Sequence, residues 1–128
     1  CPRDWLYFGG SCYFFSNNAM TWVSSKENCT SLGAHLVVIT SKEEQIFIQE
    51  QLVVQKLKVV YWIGLNDMTM EGNWQWVDGT AYKEHLFWIR GQPDNTNEED
   101  CATIGGWPGF KSLMWNDDNC GVGVNRIC

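Results

Sequence analysis

The 128-residue sequence is poor in basic residues and lacks long apolar runs. Nine Lys and Arg stand against 15 Asp and Glu, which gives a formal net charge of −6. This acidity argues against a nucleic-acid partner, because phosphate backbones bind basic surfaces. The sequence contains no run of about 18 apolar residues, so we expect no membrane-spanning helix within it.

Catalytic signatures are also missing. The two histidines, His35 and His85, belong to no HExxH motif, and the sequence has no GxSxG motif and no glycine-rich phosphate loop. Acidic pairs exist, but they lie among Asn, Gly and other acids, whereas acid–base catalysis needs a carboxyl group with a raised pKa in an apolar pocket. We therefore predict that the chain is not an enzyme, with a hydrolase as the distant alternative.

The six cysteines predict three disulfides in an extracellular chain, either the ectodomain of a membrane receptor or a secreted protein. No two of them form a CxxC pair, which argues against a structural zinc site. Their spacing alone does not choose the pairing. The sequon Asn28-Cys29-Thr30 is a formal glycosylation site, but a bridged cysteine at its centre argues against its use.

The first half of the sequence alternates between strand and helix signals. Aromatic residues alternate from Trp5 to Phe15 around Gly9-Gly10, which indicates a hairpin. Two capping signals then predict helices, one from Thr21 to about Leu32 and one opened by the capping box of residues 41–44 and running through about Leu52. Gly33 lies just past the predicted end of the first helix. Trp22, Cys29 and Leu32 are expected on the buried side of that helix, whereas Ile46, Phe47 and Ile48 supply the apolar content of the second. A short strand is predicted between the helices, at Leu36–Ile39.

The second half predicts short strands separated by long loops. Between about Asn66 and Asn119 the chain is rich in Gly, Asn, Asp and Pro, which is typical of loops. Such long loops in one domain indicate a functional region. Apolar segments predict strands at Tyr61–Leu65, Trp74–Trp76, Cys101–Ile104, about Ser112–Trp115 and Asn125–Cys128. The pattern predicts a single α+β domain over residues 1–128.

The excess of acidic residues lies entirely in this second half, which has ten acidic and four basic residues from Tyr61 onward. Crowded carboxylates indicate a site for a hard cation such as Ca²⁺, which takes oxygen ligands. No EF-hand loop is present, so the ligands would come from separate loops. The alternative is ordinary turns and a solvated acidic face. The oxygen-rich segments are residues 67–71, 92–95, 98–100 and 116–118.

Three motifs in order carry a family resemblance: Trp62-Ile63-Gly64-Leu65, Gln92-Pro93-Asp94 and Trp115-Asn116-Asp117. With the order of the cysteines, they make the whole chain resemble a C-type lectin-like domain of the long form, most like the head domains of type II receptors on myeloid cells. The resemblance implies two helices flanking small antiparallel sheets, with a long calcium-binding loop region. It also implies the disulfides Cys1–Cys12, Cys29–Cys128 and Cys101–Cys120.

The resemblance further implies two Ca²⁺ sites. The sugar-binding calcium would be held by Gln92, Asp94, Glu99, Asn116 and Asp117, which would also bind the sugar. The second, structural calcium would be held by Asp67, Glu71, Asn95, Glu99 and Asp100. A cis bond would precede Pro93 and aim the side chains on either side of it at one ion. Trp76 is interpreted as core packing rather than as a sugar contact.

The order Gln92-Pro93-Asp94 resembles that of family members specific for galactose and N-acetylgalactosamine rather than mannose. The implied function is calcium-dependent binding of glycans with terminal galactose or N-acetylgalactosamine, with oligomers formed through regions outside this segment. No aromatic residue follows Asp94 to stack on the sugar, although Trp107 or Phe110 of the apparent insertion at residues 105–111 could replace it. The alternative is a protein-recognition domain that uses calcium only structurally.

Overall fold

A hairpin opens the chain in the computed structural model, which describes residues 1–54, 58–83, 87–89, 99–106 and 113–128. Strands β1 (Leu6–Phe8) and β2 (Ser11–Tyr13) pair antiparallel. The turn between them places Gly9 and Gly10 at φ of 58° and 87°, a region that glycine adopts without a Cβ clash. The hairpin predicted from the sequence is confirmed.

Helix α1 (Trp22–Ser31) begins and ends as its capping signals predict. The Thr21 hydroxyl accepts a hydrogen bond from the Ser24 N–H at 3.3 Å, and Gly33 turns the chain away at φ 77°. Trp22 and Cys29 are buried. The prediction that Leu32 is buried was wrong, since it is 50% exposed. Leu32 caps the helix, where the chain leaves helical periodicity.

Helix α2 (Lys42–Val54) extends two residues past the predicted end. Its capping box forms: Ser41 Oγ accepts from the Glu44 N–H at 3.1 Å, and Glu44 Oε1 accepts from the Thr40 N–H at 2.9 Å. Of the three residues that supply its apolar content, Phe47 and Ile48 are buried. Ile46 is 41% exposed, because three consecutive helical residues cannot all face the core.

Five strands form the main sheet, in the order β4-β3-β5-β6, with β7 pairing parallel to β3 on a separate branch and the other pairs antiparallel. Its central strand β3 holds the Trp62-Ile63-Gly64-Leu65 motif and is buried along its length. The α+β class is confirmed. The strands are β3 (Val60–Asn66), β4 (Gln75–Trp76), β5 (Cys101–Gly105), β6 (Trp115–Asp118) and β7 (Asn125–Arg126).

The segment Leu36–Ile39 was wrongly predicted to be a strand. It is buried, but it makes isolated backbone bonds instead of a ladder. The Val37 N–H donates to the Ile127 carbonyl, and the Val37 carbonyl accepts from the Gly64 N–H, each at 2.8 Å. The segment therefore bridges β3 and the C-terminal residues, and its apolar character reflects burial, not sheet pairing.

The bounds of β3, β4 and β5 differ from the sequence prediction by one residue at one or both ends, and those of β6 and β7 differ by more. Strand β6 begins at Trp115, where the prediction ended, and continues through Asp118; the predicted start at Ser112 lies outside the described residues. Backbone pairing with β5 draws polar residues into the strand, which an apolar pattern cannot reveal. Strand β7 stops at Arg126, two residues before the predicted end.

Three disulfides join distant parts of the domain in the pairing that the resemblance implies: Cys1–Cys12, Cys29–Cys128 and Cys101–Cys120. The first closes the hairpin, the second joins α1 to the C-terminal residue, and the third ties β5 to the turn after β6. Neither described helix is long and apolar enough to cross a membrane.

Candidate metal centre

The antiparallel pairing of β3 with β5 brings two carboxylates together. Asn66, the last residue of β3, pairs with Cys101, the first residue of β5. Asp67 and Asp100 flank that pair, and the Asp67 N–H donates to the Asp100 carbonyl at 2.9 Å. Glu71, in the following turn, completes a group whose carboxylate oxygens all lie within 4.8 Å of one another. It is the one such group among the described residues.

Burial makes this cluster electrostatically costly without a cation. Asp67 is only 2% exposed, and its Oδ2 accepts a hydrogen bond from the Gly72 N–H at 2.8 Å. Oδ1 of Asp67 and Oδ1 of Asp100 are buried and have no hydrogen-bond partner within the described part of the chain. Burial raises the pKa of Asp67 to about 7; the Gly72 bond opposes this, and the Asp100 and Glu71 carboxyls add to it.

These properties fit a hard cation. Calcium takes several oxygen ligands, carboxylates above all, and a buried oxygen without a donor is a ligand position that a cation satisfies. The cluster contains three of the five residues predicted for the second calcium, namely Asp67, Glu71 and Asp100. Glu99 is described but does not belong to the three-carboxylate group, and Asn95 lies outside the described residues.

The predicted sugar-site residues are split between described and undescribed segments. Asn116 and Asp117 lie in β6 opposite Thr103 and Ala102 and are almost completely buried. Glu99 is half-buried, two residues before β5. The structure thus places three members of the set on or next to the paired strands β5 and β6. The segment Gln92-Pro93-Asp94, with its predicted cis bond, lies outside the described residues.

A backbone contact that the sequence analysis missed joins the first residue of β6 to residues 87 and 89. The Trp115 N–H donates to the Phe87 carbonyl, and the Ile89 N–H donates to the Trp115 carbonyl, both at 2.7 Å. Ile89 stands only three positions before Gln92. The aromatic pair Phe87-Trp88 inside a loop-rich region was the sequence signal for this contact.

Aromatic side chains in the core pack against the first residue of β6. Trp76 is 5% exposed and its ring lies edge-on to Trp115, 5.4 Å between centroids. This agrees with its interpretation as core packing. Of the apparent insertion, Gly105 and Gly106 are described and adopt positive φ values of 99° and 78°. Trp107 and Phe110, the proposed substitutes for a stacking ring, lie outside the described residues.

Comparisons with known proteins show which sequences and folds this chain resembles. Residues 18–128 match the family model described as the lectin C-type domain. The chain is 45% identical over 130 aligned positions to the human C-type lectin domain family 4 member E, covering all of this chain and 58% of that protein. It spans less than two thirds of the length of such curated relatives, for example 27% of the CD209 antigen of Hylobates lar.

Two solved structures are similar to this chain in fold as well as in sequence. The cow carbohydrate-recognition domain of CD23, determined in the presence of a GlcNAc2Man3 oligosaccharide, has a TM-score of 0.87 at 32% identity, over 100% of this chain and 93% of that one. The domain of the murine dendritic cell inhibitory receptor 2, determined in complex with an N-glycan, has a TM-score of 0.83 at 38% identity, over 100% of this chain and 96% of that one.

Proposed function

Because the chain belongs to the C-type lectin domain family, we propose that residues 1–128 form a calcium-dependent carbohydrate-recognition domain of an extracellular protein. Members of this family are non-enzymatic carbohydrate-binding proteins, so family membership confirms the prediction that the chain is not an enzyme. The three disulfides support an extracellular location, since such bonds persist in oxidising compartments.

The observation that carries the calcium proposal is the cluster of Asp67, Glu71 and Asp100, in which Asp67 is buried, Asp100 is partly buried and Glu71 is exposed. Two of its oxygens are buried without a described donor, and its like charges lie within 4.8 Å of each other. A bound cation would satisfy both features at once. In our proposal the second calcium is held by Asp67, Glu71, Asn95, Glu99 and Asp100.

The sugar site proper combines acidic and amide side chains: Gln92, Asp94, Glu99, Asn116 and Asp117. A carboxylate accepts a hydrogen bond from a sugar hydroxyl, and an amide donates one to it. A pair of neighbouring hydroxyls therefore needs both types at the same place. Calcium bound there would supply direct coordination of those hydroxyls. In support of this proposal, strand β6 contains an amide and an acid at consecutive positions, Asn116 and Asp117.

For specificity, we propose terminal galactose or N-acetylgalactosamine over mannose. Gln92 precedes Pro93 and Asp94 follows it, so the amide and the acid stand in the galactose order. Donor and acceptor directions then suit that pair of hydroxyls better than the mannose pair. The sugars named for the two solved relatives belong to those proteins, and the preference here depends on the triplet alone. Partners of the whole protein, including oligomers through regions outside this segment, belong to the same proposal.

Retention on immobilised sugars with and without a chelator tests the proposal. Galactose resin should retain the domain in calcium and release it in EDTA, and free galactose should elute it better than free mannose. Asn116→Ala should abolish retention while the circular dichroism spectrum is unchanged. A matched control is Asn73→Ala, an exposed asparagine outside the set. Full retention of Asn116→Ala would contradict the assignment of the site.

The specificity claim has a separate test. The double change Gln92→Glu with Asp94→Asn exchanges acid and amide and should turn the preference toward mannose. Trp107→Ala should weaken galactose selectively if that ring stacks on the sugar; an equal loss for all sugars would indicate a structural role. Better elution by mannose than by galactose from the unmodified domain would contradict the galactose assignment but leave calcium-dependent binding intact.

Protein recognition with a purely structural calcium is the second candidate function. The exposed side chains of Met68 and Met70, 47% and 64% accessible, lie within the turn that carries the acidic cluster. Flexible, polarisable methionine suits an adaptable protein-binding surface. Under this alternative, calcium would raise the melting temperature but no simple sugar would elute the domain from its partner.

A further inference from the structure

A buried glutamine on α2 contacts the polypeptide next to the proposed sugar site. Gln45 is 1% exposed and shares the inner side of α2 with Ile48 and Leu52, three and seven positions further on. Its Nε2 donates to the Leu113 carbonyl at 2.8 Å, and its Oε1 accepts from the Trp115 indole N–H at 3.1 Å. Both the nitrogen and the oxygen of this buried amide therefore have a hydrogen-bond partner.

A neutral amide can make both of these bonds at once, because it combines a donor and an acceptor. The indole N–H is purely a donor and the backbone carbonyl purely an acceptor, so the two partners require an acceptor and a donor on one side chain. Gln49, one turn further along α2, donates to the same Leu113 carbonyl at 2.9 Å. Helix α2 therefore holds the entry to β6 by three hydrogen bonds.

Trp115 is bonded to α2 through its side chain and to residues 87 and 89 through its backbone. Its backbone is bonded to Phe87 and Ile89, each at 2.7 Å, and Ile89 precedes Gln92 by three positions in the chain. The residue after Trp115 is Asn116. Trp115, whose indole is bonded to the buried Gln45, therefore adjoins Asn116 and is bonded to the residues that precede Gln92. In the proposed function, both Asn116 and Gln92 contribute ligands to the same sugar.

We propose that Gln45 is a positioning residue for carbohydrate binding, an inference that rests on the proposed function. Its hydrogen bonds within the described residues go to Leu113 and Trp115, neither of which is a proposed ligand, so its effect on the site would pass through Trp115. Without the bonds of Gln45, the two segments would not be ordered before the sugar binds. The free energy needed to order them would then reduce the net free energy of sugar binding. Re-ordering even one backbone residue is worth about a tenfold change in affinity.

The test uses Gln45→Met, which keeps the length and volume of the side chain but removes both bonds. Hydrogen exchange should accelerate at the amides of Ile89 and Trp115, and the Kd for galactose at saturating calcium should rise about tenfold. Amides of the β3–β5 pairing should keep their protection. A merely structural role would lower the melting temperature without this local loss and without the change in Kd.

The control variant breaks a partly buried polar contact between α1 and β7, neither of which contains a proposed ligand. Asn28 Oδ1 accepts from Arg126 Nε at 2.9 Å, and Asn28→Ala removes that bond. It should lower the melting temperature but leave the Kd for sugar unchanged. Gln49→Met, at a half-buried position, provides a milder version of the test should Gln45→Met not fold: it should raise the Kd by about twofold to threefold.

The outcomes separate this proposal from the proposed function. If the unmodified domain binds no sugar in calcium, the proposed function fails, and the role of Gln45 in it fails too. If the unmodified domain binds and Gln45→Met, or Gln49→Met in its place, binds as tightly as Asn28→Ala does, only the role of Gln45 is overturned. Unchanged exchange at Ile89 and Trp115 would overturn it as well.

Discussion

Replacing Asp67 with Asn should stabilise the calcium-free domain while reducing what calcium adds to its stability. Asp67 is almost fully buried, and its carboxylate oxygen lies within 4.8 Å of oxygens of Glu71 and Asp100. Asparagine has nearly the same shape, and its oxygen can still accept the Gly72 N–H. The change thus removes one charge from the cluster with little change in packing.

The size of the effect follows from the separation of the charges. At 4.8 Å, two like unit charges repel by about 3.5 kcal/mol at an effective dielectric constant of about 20 and by roughly 0.9 kcal/mol in water. Because Glu71 is exposed and Asp67 is partly protonated near neutral pH, we expect the calcium-free variant to gain about 1 to 3 kcal/mol at pH 8.

The gain should depend on pH with a definite sign. The pKa of Asp67 is raised to about 7 in the folded state, against about 4 in an unfolded chain. The folded calcium-free protein therefore binds a proton more readily than the unfolded one, and its stability rises as the pH falls from 8 toward 4. Asp67→Asn lacks this dependence, so the difference between the two proteins should shrink below pH 7.

Urea denaturation in EGTA and in millimolar calcium, at pH 8 and pH 6, measures the free energy of unfolding of both proteins, its pH dependence and its response to calcium. Calcium should stabilise the unmodified domain by roughly 2.7 kcal/mol at a hundredfold excess over its Kd, and the variant by much less. The control is Asp78→Asn. Burial opposes ionisation of Asp78, but hydrogen bonds from Thr80 outweigh it and lower the pKa. Its replacement should not stabilise the domain or alter the calcium response. A calcium-free Asp67→Asn no more stable than the unmodified protein at pH 8 would refute the reasoning.

Three further predictions concern the fold. Gly64→Ala should cost about 1 to 3 kcal/mol in the free energy of unfolding, because an added Cβ would lie 2.9 Å from two backbone carbonyl oxygens; urea denaturation checks it. Asn28→Ala should cost about 1 to 3 kcal/mol, since the buried Arg126 guanidinium loses an acceptor, and the intact mass of the unmodified domain from glycosylating cells should show no glycan at Asn28. Replacing the Cys101–Cys120 bridge by two serines should cost about 2 to 5 kcal/mol by thermal denaturation, with calcium affinity reduced because the bridge begins next to the acidic cluster.

Local chemistry determined the parts of the fold that the sequence predicted well. Thr21 and Gly33 mark the ends of α1 because their capping roles depend on side-chain reach and backbone freedom, which are properties of the residues themselves. The strand around Trp62 was predictable because it is apolar throughout. For the same reason the sequence misled at Leu36–Ile39, where apolar character reflects burial without sheet pairing.

The sequence by itself determined which residue types were available. It has oxygen ligands in its second half, six cysteines that can form three disulfides, and three motifs in the order typical of C-type lectin-like domains. Only the tertiary structure decided which of them meet. The β3–β5 register joins Asp67 to Asp100, and β5 draws the polar Asn116 into a strand. It also decided that Gln45, 70 positions before Trp115 in the chain, bonds to its indole. Such contacts depend on backbone pairing and close packing between distant segments, and neither leaves a local pattern in the sequence.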